Sequence, residues 1–165
     1  MQVQAWLRDL GRALGFDVWV ASNDRGRVVG SGSLGDGCLS ELPASITQAT
    51  GAGLVPLIDV LWLDRQASSV AAAFEVEHST SIYSGILRLL DLALSSTPAA
   101  AQGLFLVAPD GREDEIRKQL ARAFLRPVAE MNVRYLPYGE LERNKEAIAR
   151  FGSGVKAIDA IAKKL

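Results

Sequence analysis

Two apolar stretches, LVPLIDVLWLD (54–64) and VAAAFEVE (70–77), stand close together in the middle of the chain. Nearly continuous apolar runs of this length are typical of β-strands that are buried on both faces of a sheet. The short polar segment between them is typical of a hairpin turn, so we predict an antiparallel pair formed by residues 57–63 and 71–77. This hairpin would lie at the centre of the fold.

The patterns on either side of the hairpin predict alternating helices and strands. Apolar residues at helical spacing predict an amphipathic helix that ends at Gly15, and alternation then predicts a strand over 16–20. The other predicted elements are a short strand at 28–29, a helix at 81–94, a strand at 103–108, a helix at 113–124, a strand at 133–136, and helices at roughly 139–150 and 154–163. The predicted fold is α/β, a central mixed sheet of about five strands flanked by helices, in a single domain over residues 1–165.

The segment 30–53 is rich in Gly, Ser and Asp, and predicts a long surface loop with a short helix near 44–49. Loops of this length in compact domains are usually functional or mobile. No Lys-Ser or Lys-Thr pair follows the glycines of GSGSLG (30–35), so the loop fits neither a P-loop nor a dinucleotide fingerprint. No Gly-x-Ser-x-Gly motif indicates a serine hydrolase either.

The composition excludes several classes of site. The single cysteine, Cys38, excludes an internal disulfide and a cysteine zinc cluster, and the single histidine, His78, excludes a multi-histidine metal site. No apolar run reaches the ~20 residues that a membrane span needs, and the N-terminus does not resemble a signal peptide. We therefore expect a cytoplasmic protein with no membrane partner.

The charges are unevenly distributed along the chain. Residues 1–111 carry 6 Lys or Arg against 11 Asp or Glu, whereas residues 112–165 carry 12 against 8. A basic C-terminal third can contact phosphates, and it is also typical of solvated helices with mixed charge. Charge alone therefore does not choose between a nucleic-acid partner and an ordinary surface.

Three acidic residues interrupt the apolar strands of the predicted hairpin, namely Asp59, Glu75 and Glu77. Side chains alternate along a strand, so Glu75 and Glu77 would point to the same face, about 7 Å apart. With a turn at 65–69, Asp59 would lie opposite Glu75, with the two Cβ atoms ~5 Å apart. The pattern therefore predicts three carboxylates on one patch of the sheet.

Buried carboxylates this close to one another must be paired, neutralised or bound to a metal. A hard divalent cation, Mg²⁺ or Mn²⁺, would stabilise them because it prefers carboxylate, water and phosphate oxygens, and we expect Asp59 and Glu75 to bind it. Such an ion can polarise a phosphodiester and activate water. The alternative interpretation is that the acids lie at strand ends, in solvent or paired with Arg88 or Arg65.

The order of elements and the acidic motif resemble the PD-(D/E)xK superfamily of restriction-endonuclease-like nucleases. In that pattern an Asp is followed, after a variable gap, by Glu-x-Lys on the next strand. Asp59 matches the Asp, Glu75 matches the Glu, and Glu77 stands where the lysine is expected. The similarity covers roughly residues 3–141, and the motif itself is short. The lysine is thought to position the attacking water, and some type II restriction enzymes carry an acid there.

The resemblance implies a restriction-endonuclease-like fold and metal-dependent hydrolysis of DNA phosphodiester bonds, in restriction or repair. Asp59 and Glu75 would hold Mg²⁺ or Mn²⁺, and Glu77 would complete the metal site or orient the attacking water. In the opening turns of the first helix, Gln4 is the one further polar ligand on offer. DNA is the implied partner, with a homodimer or a larger polypeptide supplying sequence recognition.

Four residues after the motif are candidates for substrate binding: His78, Ser81, Tyr83 and Arg88. His78 either makes a structural hydrogen bond or turns towards the site. Tyr83 either contacts a phosphate or packs beneath the sheet. Arg88 either contacts DNA, in a polar row with Thr80 and Ser84 on one helix face, or neutralises the acids.

Two other classes of function remain open. A catalytically degenerate DNA-binding or assembly module on the same fold would need no bound divalent ion, whereas a nuclease of this kind needs one. A small-molecule-binding α/β domain would need a cofactor loop, and the sequence has no recognisable one.

Overall fold

A computed structural model describes residues 2–51, 53–66, 69–78, 82–95, 103–122 and 131–165 of the chain. Its helices are α1 (Gln2–Ala13), α2 (Ala44–Thr47), α3 (Ile82–Leu94), α4 (Glu113–Leu120), α5 (Tyr138–Phe151) and α6 (Lys156–Asp159). Its strands are β1 (Asp17–Val20), β2 (Val28–Val29), β3 (Gly32–Ser33), β4 (Val60–Asp64), β5 (Ser69–Val76), β6 (Gly103–Ala108), β7 (Arg134–Pro137) and β8 (Lys163–Lys164).

The predicted hairpin forms the middle of a six-stranded mixed sheet with the order β1-β4-β5-β6-β7-β8. β4 pairs antiparallel with both β1 and β5, while β5, β6 and β7 run parallel. Every residue of β5 is buried, as the apolar run predicts for a central strand. The α/β class, the mixed sheet and the central hairpin are therefore confirmed.

Helices cover both faces of this sheet, and each face has its own hydrophobic core. The core beneath α1, α5 and α6 contains Leu7, Trp62 and Phe74. The core beneath α2, α3 and α4 contains Ile86 and Ile116. The alternation of side chains along the strands divides the apolar residues between these two layers, so the helices hold the sheet from both sides.

The hairpin begins later than its apolar pattern predicts. Val55–Leu57 forms one 3₁₀ turn, and β4 starts only at Val60. The predicted strand over 57–63 therefore begins three residues too early. Pro56 stands at the start of this turn, a position that proline favours. The shift leaves Asp59 immediately before β4 rather than inside it.

The C-terminal region departs further from the prediction. The helix expected at 154–163 is only the single turn α6, and the chain then forms β8, which pairs antiparallel with β7. The unpaired edge of β7 offers backbone groups that a short strand can satisfy, and this pairing competes with continued helix. The predicted helix over 154–163 is therefore wrong beyond Asp159.

The predicted loop 30–53 contains two short elements. β3 pairs with β2 in a small two-stranded sheet, and α2 lies within the range predicted for a short helix. The predicted helix over 113–124 ends at Leu120, and its last two positions lie outside the described residues. None of the described helices is long and apolar enough to cross a membrane.

Candidate active site

The three acids of the predicted motif lie around one end of the central hairpin, and we call Asp59, Glu75 and Glu77 the acidic cluster. The pairing of Val60 with Phe74 places Asp59, one residue earlier, beside Glu75, one residue later. Asp59 Oδ2 accepts a hydrogen bond of 2.7 Å from the Val76 backbone N–H. The hairpin register therefore brings Asp59 to the strand that carries the two glutamates.

Glu75 is fully buried in β5 and is paired with Arg88 of α3. Arg88 donates from Nε to Oε1 at 2.8 Å and from Nη2 to Oε2 at 2.6 Å, so both carboxylate oxygens have a guanidinium partner. Two-point pairing of this kind is the strongest that a carboxylate makes with a side chain. Of the two roles considered for Arg88, neutralising the acids is the one that this geometry matches.

Glu77 follows β5 directly and continues its pairing, since its N–H donates to Val107 O at 2.8 Å. Its side chain lies against the first turn of α3 at Gly85. A Cβ added to Gly85 would stand 2.5 Å from Glu77 Oε1 and 3.2 Å from Glu75 Cβ. The glycine therefore makes room for α3 to cover both glutamates.

Burial makes the charged forms of these carboxyl groups unfavourable. It raises the pKa of Glu75 to about 8, with Arg88 opposing the shift and Asp59 adding to it. Burial also raises the pKa of Asp59, against the Val76 hydrogen bond, and the pKa of Glu77, where repulsion from Asp59 adds to it. The nearby positive charge is therefore too small to offset the burial of the three carboxyl groups.

Two polar residues outside the motif contact the cluster. Gln4 of α1 is 4% exposed, and its Nε2 donates to Asp59 Oδ1 at 3.0 Å and to Asp24 Oδ2 at 2.9 Å. Asp24 lies in the turn after β1 and is 5% exposed. The sequence offers Gln4 as a polar ligand but gives no signal for Asp24, since an acid in a turn is ordinarily solvated.

His78 lies beside the cluster and contacts α5. Tyr138 donates its hydroxyl hydrogen to the Glu77 carbonyl at 2.9 Å, and His78 Nδ1 lies 3.0 Å from the same hydroxyl oxygen. Which of His78 Nδ1 and the Tyr138 hydroxyl is the donor depends on the tautomer of the imidazole. Burial lowers the pKa of His78. This is the structural hydrogen bond that was one of its two predicted roles.

Two substrate-binding candidates, Tyr83 and Ser81, and one proposed ion-pair partner, Arg65, remain. Tyr83 is 42% exposed on α3, which does not match the alternative in which it packs beneath the sheet. Ser81 and Thr80 lie outside the described residues. Arg65, the other proposed partner of the acids, pairs with Asp17 at 3.0 Å at the opposite end of β4.

The donor atoms of the cluster fit a hard divalent cation in chemical type, because carboxylate and amide oxygens are the ligands that Mg²⁺ and Mn²⁺ prefer. Within the described ranges, however, no three or more His, Cys, Asp or Glu side chains are grouped so that they could hold a metal ion. Arg88 already occupies both oxygens of Glu75. A metal ligated by Glu75 would therefore have to replace Arg88.

A comparison with protein families adds evidence of another kind. Residues 1–165 match the family model described as "Type II restriction enzyme NmeDI C-terminal domain". Among curated proteins, the type II restriction enzyme NmeDI of Neisseria meningitidis serogroup C is 31% identical over 147 residues. That alignment covers 86% of this chain and 41% of the relative, so the chain spans less than half of the relative's length. No solved structure matches the chain.

Proposed function

The chain belongs to the family of the type II restriction enzyme NmeDI C-terminal domain, and on that premise we propose that it is a metal-dependent nuclease acting on DNA. The reaction would be hydrolysis of phosphodiester bonds, in restriction or repair. The observation that carries the proposal is the acidic cluster, in which Asp59 and Glu75 adjoin across the central hairpin. This arrangement also supports the resemblance to the PD-(D/E)xK superfamily.

Asp59 and Glu75 would hold Mg²⁺ or Mn²⁺, which when bound polarises the phosphodiester and activates water. Glu77 would orient the attacking water and accept its proton. The raised pKa of Glu77 suits this role, because a general base works best when its pKa is near the working pH. Gly85 leaves the space in which the Glu77 carboxylate lies.

Arg88 would serve as the internal counter-ion of Glu75 before the substrate binds. A guanidinium group that pairs with a carboxylate through two N–H groups matches a phosphate in the same way. Arg88 would therefore exchange Glu75 for a phosphate of the DNA, which releases the carboxylate as a ligand. Its side chain is 24% exposed and can reach solvent from this position.

A second candidate is a catalytically degenerate module that binds DNA or assembles with other chains. The complete pairing of Glu75 by Arg88 favours it, because a fully paired carboxylate needs no metal. Glu77 in place of the usual lysine also favours it. In this case the acidic cluster would be a structural remnant at the end of the hairpin.

DNA is the proposed partner in both cases. The relative is much longer than this chain, and sequence recognition would come from a larger polypeptide or from a second copy of the domain. The basic residues of the C-terminal third would add contacts to phosphates.

Cleavage of plasmid and short duplexes by wild type and by Glu77→Lys, with Mg²⁺, Mn²⁺ or chelator, separates the two candidates. In an active enzyme, Glu77→Lys lowers the rate, because it replaces an acidic group of the site with a cation. In a degenerate relative, wild type is inactive and Glu77→Lys restores cleavage. Inactivity of folded wild type with every metal and substrate would refute the nuclease proposal.

A further inference from the structure

A small β-hairpin lies close to the acidic cluster, outside the central sheet. It consists of β2 and β3 with the turn Gly30–Ser31 between them, and we call residues 28–33 the β2–β3 hairpin. Its two strands form a separate two-stranded sheet. Gly30 has a φ of 60°, and the tight turns of two-residue hairpins favour glycine for this reason. The hairpin is therefore an addition to the central sheet and not a part of it.

Contacts at the base of the hairpin hold it on the rest of the fold. Arg8 of α1 donates from Nη1 to Ser33 O at 3.0 Å and to Leu34 O at 3.2 Å. The Leu34 N–H donates to Arg27 O at 2.9 Å, and Asp36 Oδ2 accepts from the Ser33 N–H at 2.7 Å. Leu34 itself is fully buried in the core beneath α1. The base of the hairpin is therefore fixed on the α1 side of the sheet.

A row of polar side chains connects the hairpin to the acidic cluster. Arg27, directly before β2, pairs with Asp24, its Nε 3.0 Å from Asp24 Oδ1. Gln4 Nε2 donates to Asp24 Oδ2 at 2.9 Å and to Asp59 Oδ1 at 3.0 Å. Asp24 and Gln4 are both buried. The row Arg27–Asp24–Gln4–Asp59 therefore places the start of the hairpin only two side chains away from a residue of the acidic cluster.

The outer surface of the hairpin suits a polyanion. Val28 is 75% exposed, and the Arg27 side chain is 53% exposed. The exposed turn residues 30–32 are glycine or serine, which allows another molecule to approach the backbone closely. The stretch 26–33 contains no Asp or Glu, although residues 1–111 as a whole carry more acidic than basic residues. No acidic side chain of the hairpin would therefore repel phosphate groups.

We propose that the β2–β3 hairpin enters the major groove of DNA beside the bond that the acidic cluster would cleave. The major groove of B-DNA admits a two-stranded β-ribbon. In this position Arg27 contacts a backbone phosphate with the exposed part of its guanidinium group, which positions the duplex. Val28 contacts base edges, where the thymine methyl group is an apolar partner for valine.

This inference rests on the proposed function for DNA as the partner, and it names the element that would bind the duplex. A protein partner is the competing occupant, because an exposed valine can also pack against another chain. The exposed Arg27 and the absence of acids over 26–33 favour DNA over an apolar protein surface.

Fluorescence anisotropy with a short DNA duplex in chelator measures binding without cleavage. Val28→Glu adds a negative charge to the hairpin and should weaken binding by at least about fivefold. Val28→Lys should tighten binding and steepen the slope of log Kd against log salt by about one. Because the Val28 side chain is exposed, both variants should fold, and effects of opposite sign cannot come from a loss of fold.

Leu94→Glu and Leu94→Lys are the matched controls. Leu94 is 68% exposed at the end of α3, and α3 covers the face of the sheet opposite to α1 and the hairpin. Both changes should leave the affinity within about twofold, because salt screens an exposed charge beyond ~10 Å.

A second measurement uses the unaltered chain. Adding the duplex in chelator should shift the backbone amide signals of Val28 and Ser31 in a nuclear magnetic resonance spectrum. The signal of Leu94 should stay in place.

Equal DNA affinity in the Val28 and Leu94 variants, or unshifted hairpin signals, would overturn the role of the hairpin in DNA binding. A dimer that Val28→Glu dissociates, with unchanged DNA affinity, would overturn it in favour of a protein partner. A wild type that shows the expected binding but cleaves no DNA with any divalent metal would overturn the nuclease proposal alone. The two failures are therefore distinguishable.

Discussion

The buried carboxylates have hydrogen-bond partners on both sides of the acidic cluster, but the pairing is more complete on the α3 side than on the α1 side. On the α3 side, each oxygen of Glu75 has its own N–H partner on Arg88, at 2.8 and 2.6 Å. On the α1 side, Gln4 bridges Asp24 and Asp59 but leaves two buried oxygens without a donor. Side-chain hydrogen bonding is therefore more complete at Glu75 than at Gln4, where Arg27 Nε lies 3.0 Å from Asp24 Oδ1 as an ion pair.

The largest effect should come from removing the internal counter-ion with Arg88→Met. Glu75 would then be a buried carboxylate without a partner, and we expect the free energy of unfolding to fall by about 3 kcal/mol in chelator. That value is at the lower end for broken buried pairs, since Glu75 can take up a proton instead of staying charged. Urea denaturation at pH 9, above the pKa of Glu75, measures the loss.

Arg143→Met supplies the matched control for that variant. Arg143 pairs with Glu140 at 2.7 Å, but the side chains are 62% and 37% exposed, so its loss should cost less than about 1 kcal/mol. Similar losses in the two variants would show that the Arg88–Glu75 pair contributes no more than a surface ion pair.

A smaller effect is expected from Gly85→Ala, which tests how closely α3 covers the glutamates. The added Cβ would stand 2.5 Å from Glu77 Oε1, so the helix or the carboxylate must move, and we expect a loss of about 1–3 kcal/mol. Gly26→Ala is the control, because a Cβ at Gly26 meets nothing within 4 Å. Equal stability of the two variants would mean that α3 does not press on the acids.

The smallest effect, taken per pH unit, is a dependence of stability on pH. Burial raises the pKa of Glu75 to about 8, from 4.5 for an unperturbed glutamate. Between these values the folded chain keeps a proton that the unfolded chain has released, so stability falls as the pH rises through this window. One such group gives at most about 1.4 kcal/mol per pH unit.

Glu75→Gln cannot titrate, so its stability should change less between pH 4.5 and 8 than that of wild type. Asp59 and Glu77 have pKa values shifted in the same direction, so some dependence of stability on pH should remain in Glu75→Gln. Urea denaturation at a series of pH values compares the two slopes. An equal slope in wild type and Glu75→Gln would contradict the raised pKa of Glu75.

Much of the fold can be predicted from the sequence because its signals are local. The apolar runs of β4 and β5 and the polar turn between them predict the hairpin and the position of Asp59 beside Glu75. The helical spacing of α1 and α3 is equally direct. The apolar pattern does not predict the 3₁₀ turn before β4, although Pro56 at its start favours such a turn.

The rest of the site depends on contacts between distant parts of the chain. Asp24 is an ordinary turn residue in the sequence, and only the packing of α1 over β4 buries it next to Gln4. Gly85 is one of fifteen glycines, and nothing in the sequence distinguishes it. Its role follows only from the packing of α3 against Glu77. The two roles open for Arg88 differ in the direction of one side chain, which no sequence pattern determines.

The proposed function rests on Asp59, and cleavage of plasmid DNA by wild type and Asp59→Asn tests it most directly. Asparagine keeps the size of the side chain and an oxygen for the Val76 N–H, so the variant should fold, which its melting curve checks. We predict cleavage by wild type with Mg²⁺ or Mn²⁺, none with chelator, and none by Asp59→Asn. Equal cleavage by both proteins, or none by folded wild type with any divalent metal, would contradict a metal-dependent nuclease centred on Asp59.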